Sequence, residues 1–168
     1  KGLALRGYSP EDFLKLEFIK RGNFIGNPNE LVDNNISIGK NLILDYDLKV
    51  GDKISIMSTS GIETIVGTLP KQENYLITSI FDSGLADFDR NIAFLNIENL
   101  ENLFDLDSST RSLEVYLKKP LNIDSTKSKI QSIFNEAFVY SWADMNSSLF
   151  SALKVERNVM FIILSLII

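Results

Sequence analysis

Polar and apolar residues alternate from Lys1 to Tyr8, a pattern that predicts a strand. Ser9-Pro10-Glu11-Asp12 then offers a capping hydroxyl, a proline suited to the first helical position and two carboxylates for the first turn. A helix carrying Phe13, Leu14, Leu16, Phe18 and Ile19 should follow. The glycines and the Asn27-Pro28-Asn29 turn between Gly22 and Glu30 predict a loop, and Ile36-Ser37-Ile38 a short strand running into a helical turn over 40–46. Gly51-Asp52 reads as a tight turn feeding an alternating strand through Met57, an arrangement used by small β-barrel-like lobes. A further strand is expected over Tyr75–Phe81, a polar loop over 82–90, a buried strand over Asn91–Leu95 and a helix over Ile97–Phe104. These elements make a β-rich first lobe over 1–104.

Beyond the polar break at 105–111 the pattern changes to strand, helix, strand. Leu113-Glu114-Val115-Tyr116-Leu117 alternates, Asp124 or Ser125 is placed to cap a helix over 126–134, and Ala137-Phe138-Val139-Tyr140 returns as a strand. This β-α-β unit predicts a second lobe over 105–145, with Trp142 as its core anchor in preference to a membrane-interface contact. A long helix should run from about Asn146 through 168. Its last stretch, Val159–Ile168, is apolar except for Ser165 and follows the polar collar Glu156-Arg157-Asn158. A spanning helix needs roughly 20 apolar residues, so two readings stand, a buried C-terminal helix or the first half of a membrane helix. Apolarity on all sides favours the second. The first residues carry no apolar run behind their positive charge, so they are not a secretion signal, and the chain is expected to begin inside a longer protein.

Composition narrows the chemistry. The 168 residues contain no Cys and no His, which excludes disulfides, thiolate zinc sites, thiol nucleophiles and Ser-His-Asp triads. A hydrophobic fraction of 45% excludes a disordered chain. The formal net charge of -5 argues against nucleic acid, whose binding rests on clustered Lys and Arg. Partners are therefore expected to be protein or lipid.

Several motifs resemble chemistry but lack essential parts. Asp87-Phe88-Asp89-Arg90-Asn91 starts like a calcium loop without its turn glycine or closing Glu. Gly39-Lys40 echoes a phosphate loop without the first glycine or the hydroxyl residue after Lys. Asp45 with Asp47, or Glu98 with Glu101, could be offered as a carboxylate pair, but nothing in the sequence fixes a separation. No catalytic residue, metal site or cofactor is assigned. The segment from Ile62 to Gln72 is more informative. Pro70 withholds an amide from any ladder and so marks an edge or projecting hairpin, while Ile65, Val66 and Leu69 would be apolar groups on it. Such an arm either folds back on the lobe or binds a partner.

Leu5-Arg6-Gly7 with Pro10-Glu11, and Ile38-Gly39-Lys40-Asn41-Leu42 running into Leu48–Ile54, resemble the periplasmic domain of MacB-type ABC-transporter permeases, specifically the lipoprotein-releasing LolC/LolE type. Ser141-Trp142 followed by Leu149–Met160 is similar to that family's signature helix leading into its second transmembrane segment. The resemblance implies an α+β, two-lobed extracytoplasmic domain: a β-rich lobe with a projecting hairpin hook, and a β-α-β lobe next to the membrane. It further implies a lipoprotein substrate, a LolD-type ATPase subunit in the cytoplasm, a second permease subunit and a soluble LolA-type carrier captured by the hook. The hook aligns with 61–72, so the implied docking residues are Ile65, Val66, Gly67, Thr68, Leu69, Pro70, Lys71 and Gln72. The LolC type carries Pro-Met at the tip and Arg after both the Gly and the Gln, whereas this chain has Ile65-Val66, Thr68 and Glu73. Lys71 is the residue expected to supply part of the missing positive charge. A related MacB-type efflux or FtsX-type permease, with an adaptor or cell-wall hydrolase as partner, would be favoured by the absence of a hook. A soluble enzyme would need a deep pocket of converging carboxylates.

Overall fold

In the computed structural model the opening alternation forms β1 (Ala4–Tyr8), which lies parallel to β6 (Ile92–Asn96). The structure describes residues 2–65, 67–119 and 123–167, with the backbone alone at 59, 60, 62–64 and 68. Next along the sheet, β3 (Asn35–Gly39) runs antiparallel to β6 and parallel to β5 (Gly67–Phe81), and β2 (Phe24–Gly26) borders the end of β5. β4 (Lys53–Thr64) pairs antiparallel with β5, alone among the described strands, completing a six-stranded mixed sheet.

Alternation along β6 divides the core between the two faces of this sheet. Ala93 and Leu95 join Ile36, Ile38, Tyr75, Ile77 and Leu103 in one buried cluster, while Phe94 joins Phe13, Leu16, Ile19, Leu31 and Phe81 in the other. Phe94 centres an aromatic group, with ring centroids 5.0 Å from Phe81, 5.3 Å from Phe13, 5.6 Å from Tyr8 and 5.9 Å from Phe18. Such offset and edge contacts add to the burial of large ring surfaces.

Helices close the faces. α3 (Lys40–Tyr46) follows β3 directly, and α5 (Ile97–Phe104) follows β6 with Asn96 capping it through the Glu98 amide. The single helix expected after Ser9 is instead two, α1 (Pro10–Phe13), capped by Ser9 as expected, and α2 (Glu17–Lys20), with Leu16 extended between them. On one continuous helix its apolar positions would spread around the axis instead of forming a stripe, and the break lets Phe13, Leu16 and Ile19 all bury. The loop expected over Gly22–Glu30 contains β2 and a 3-10 turn at Pro28–Glu30. The polar stretch 82–90 is likewise not all loop, since α4 (Ala86–Asn91) occupies its second half.

The chain divides into two compact units, Lys1–Ser112 and Leu113–Ile168. The second unit holds α6 (Ile123–Ile133), α7 (Trp142–Met145) and α8 (Ser147–Ile167). Asp124 lies in the first turn of α6 and not at its cap. Leu113–Leu117 and Ala137–Tyr140, expected as strands on either side of α6, join no ladder among the described residues. Local contacts stand where the ladders were expected: Tyr116 Oη donates to Glu114 Oε2 at 2.7 Å, the Gln131 side chain donates to the Ala137 carbonyl at 2.9 Å, and the Phe138 and Tyr140 rings stack 6.5 Å apart. Trp142, expected as a core anchor, is part-exposed and meets Phe150 edge-on at 4.8 Å. No described residue of α8 is buried, and no helix among the described residues is long and apolar enough to cross a membrane.

Candidate functional site

The arm predicted over 62–72 is the far half of one continuous hairpin. Near the sheet, Lys53–Met57 of β4 pair in unbroken register with Gln72–Leu76 of β5. Farther out, Gly61–Thr64 pair with Gly67–Pro70, and between the two ladders Ser58, Thr59 and Ser60 all oppose the single residue Lys71. This is a β-bulge, which bends a ribbon and increases its twist. Pro70 stands opposite Gly61 on a strand whose other edge has no ladder there among the described residues, the position that tolerates a missing amide.

At the outer end the pair Thr64–Gly67 closes the ribbon around 65–66. Gly67 has φ +122°, a conformation that a side chain would strain. Ile65 is fully exposed at the tip, and Val66 lies outside the described residues. Leu69, opposite Ile62, is 59% exposed, and Pro70 is also exposed. Thr68 faces Glu63 in the backbone register. Gln72 donates from Nε2 to Ser55 Oγ at 2.6 Å, tying the two strands just inside the bulge. From 65 to 70 the sequence contains no charge. The arm therefore ends in an exposed, uncharged stretch.

Lys71 is directed to its own lobe. Its Nζ donates to the backbone carbonyl of Asn102 in the last turn of α5 and lies 3.6 Å from Glu73 Oε1. Tyr75 Oη in turn donates to Glu73 Oε2 at 2.9 Å. Burial, followed by the neighbouring Glu73 carboxylate, pushes the Tyr75 phenol well above its ordinary pKa, so it remains a donor. Sequence reasoning missed Glu73 and Tyr75 as parts of the arm, although the spacing of 71, 73 and 75 puts all three on one face of β5. It also missed Met57, which is 60% exposed opposite Gln72. Met57 is out of phase with the inward-facing Ile54 and Ile56, a signal available in the alternation.

The other chemical motifs resolve into structure. Gly39 caps α3 where an added Cβ would lie 2.0 Å from the Asp89 carbonyl oxygen, and Lys40 pairs with Asp82 at 2.9 Å. That ammonium, and then the Gly84 amide, hold the Asp82 carboxyl below its usual range. Asp89 is buried and accepts from Ser83 N and Oγ. Asp45 binds Arg90 at 3.0 Å, Glu101 makes a two-pronged pair with Arg111, and Asp47 ends α3 in a left-handed conformation. No group of His, Cys, Asp or Glu able to hold a metal occurs among the described residues.

No protein-family model matches the chain. Among curated proteins, it is 29% identical over 167 residues to the lipoprotein-releasing system transmembrane protein LolC of Xylella fastidiosa strain Temecula1, covering 98% of this chain. It is 27% identical over 174 residues, and 100% of this chain, to the protein of the same name from Neisseria meningitidis. The likeness is to LolC-type lipoprotein-releasing permeases. The LolC of Haemophilus influenzae is 25% identical over 90% of the chain. The matches cover 40% and 41% of the Xylella and Neisseria LolC proteins, so the chain spans about two fifths of their length. Similarity to LolC includes the hairpin, α5 and the segments of the second unit alike.

Proposed function

We propose that this chain is the periplasmic domain of a lipoprotein-releasing ABC-transporter permease subunit, and that its β4–β5 hairpin is the docking element for a LolA-type carrier. The observation that carries the reading is a projecting ribbon with uncharged, exposed Ile65 and Leu69 on a chain similar to LolC over nearly its whole length. In this reading the inner membrane lies beside the second unit, a LolD-type subunit hydrolyses ATP in the cytoplasm, and a second permease subunit completes the transporter. The domain performs no bond chemistry. An acylated lipoprotein lifted from the membrane passes to the carrier held at the hook, whose tip residues 65–70 enter the edge of the carrier's apolar groove. The adaptor-binding or hydrolase-binding alternative drew on the absence of a hook, and the hairpin removes that support.

The supporting physics is simple. A monomer seldom leaves large apolar side chains at the end of a ribbon without a partner for them, and apolar anchors entering a pocket dominate interface energetics. Titration of the LolA-type carrier against the native chain and Ile65→Asp with Leu69→Asp tests the proposal. Saturable native binding weakened at least about tenfold in the double variant is the expected result. Native binding that the double variant leaves unchanged would move docking off the hook, and absence of native binding would overturn the carrier reading.

A further inference from the structure

The bulge in β4 creates a mechanical problem for the hairpin. Three residues of β4 face one residue of β5, so ladder pairing is interrupted where the ribbon leaves the sheet, and the outer ladder contains only the register pairs from Gly61–Pro70 to Thr64–Gly67. A two-stranded ribbon of that length is marginal by itself, and a bulge leaves its direction underdetermined. A constraint from outside the ladder is needed.

Lys71 supplies it. It is the residue opposite the bulge, and its ammonium reaches the Asn102 carbonyl in the last turn of α5. Carbonyls there have no intrahelical donor and carry the negative end of the helix dipole, which suits a cation. α5 is itself fixed, with Leu103 fully buried and Glu101 holding Arg111. Behind Lys71, Glu73 and then Tyr75 continue the polar line along the same face of β5 into the core cluster. We infer that Lys71 is a positioning residue: by tying the bulge to α5 it fixes the direction in which the hook leaves the lobe. Under the docking reading proposed above, a hook held in its binding direction loses less freedom on capture, so Lys71 raises partner affinity from outside the apolar tip.

The absence of cysteine allows paired labels without background. Ile65→Cys at the tip and Leu44→Cys on the exposed side of α3 would carry spin labels in the full chain, with their distance distribution read by pulsed electron spin resonance. Lys71 and Lys71→Arg should give one narrow distribution. Lys71→Met, which keeps the aliphatic stem, should broaden or displace it while the melting temperature stays unchanged. An unchanged distribution in Lys71→Met overturns the inference, and this measurement needs no carrier. In unlabelled chains Lys71→Met should bind the carrier about fivefold more weakly, with Arg restoring affinity. Equal affinity would overturn the link from hook direction to binding, whereas loss of all native binding would count against the docking reading and leave the distance result to decide the role of Lys71.

Discussion

Residues 2–112 and 113–167 use similar apolar vocabulary to different effect. In the first unit Ile36-Ser37-Ile38 becomes a buried strand because β5 and β6 lie on either side of it. In the second, Leu113-Glu114-Val115-Tyr116-Leu117 has equally regular alternation, yet no described residue from 113 onward is buried. Alternation states which face of a strand could be covered, and a ladder partner and a covering layer decide whether it is. The greatest contrast lies between Phe94, with five other rings around it, and Phe138, which is 88% exposed. Phe94→Ala should cost about 3–5 kcal/mol in denaturant titration of the first unit, and Phe138→Ala less than about 0.5 kcal/mol. Equal losses would break the comparison.

A smaller effect probes the close packing of the first unit without changing its apolar content. Gly39 has an ordinary φ of -75°, so an alanine there is not strained by its backbone angle. The obstacle is the Asp89 main chain, whose carbonyl oxygen would stand 2.0 Å from the new methyl. Gly39→Ala should therefore cost about 1–3 kcal/mol, read as a shift in the same denaturant midpoint. A neutral outcome would mean that β3 and α4 can separate freely, contrary to the tight packing of this unit.

These cases mark what could be read from the chain. α5 was legible because Leu100 and Leu103 recur at helical spacing, and β6 because Ala93, Phe94 and Leu95 form a short apolar run before it. α4 was not, since one of its inward-facing residues is Asp89, whose burial is satisfied by Ser83 and leaves no apolar period. The projecting arm was signalled by Pro70. The inward use of Lys71 was not, because its acceptor is a main-chain carbonyl 31 positions away that only the tertiary fold brings near. Pattern reports local preference, whereas a side chain's choice of partner depends on packing.

The smallest predicted effect contrasts one carboxylate from each unit. Asp144 accepts from Lys127 at 2.5 Å and from the Ser141 amide and hydroxyl, forming the capping box of α7. The Lys127 bond first, and the Ser141 bonds after it, lower the Asp144 pKa; the Lys40 bond does the same for Asp82. A carboxylate with a depressed folded pKa contributes stability that is fully present above its ordinary value, near 3.8, and is lost as pH falls through the folded value. Both pairs should thus weaken only in acid. α7 has no buried residue to hold it once the box opens, while α3 retains buried Leu42. Amide-exchange protection in α7 should be flat from neutral pH to about 4 and decline below it, with α3 changing less. Asp144→Asn should lower α7 protection at neutral pH and remove its acid dependence. Parallel loss in α3 and α7 would show that these exposed pairs, and not the buried layer beneath one of them, govern local opening in both units.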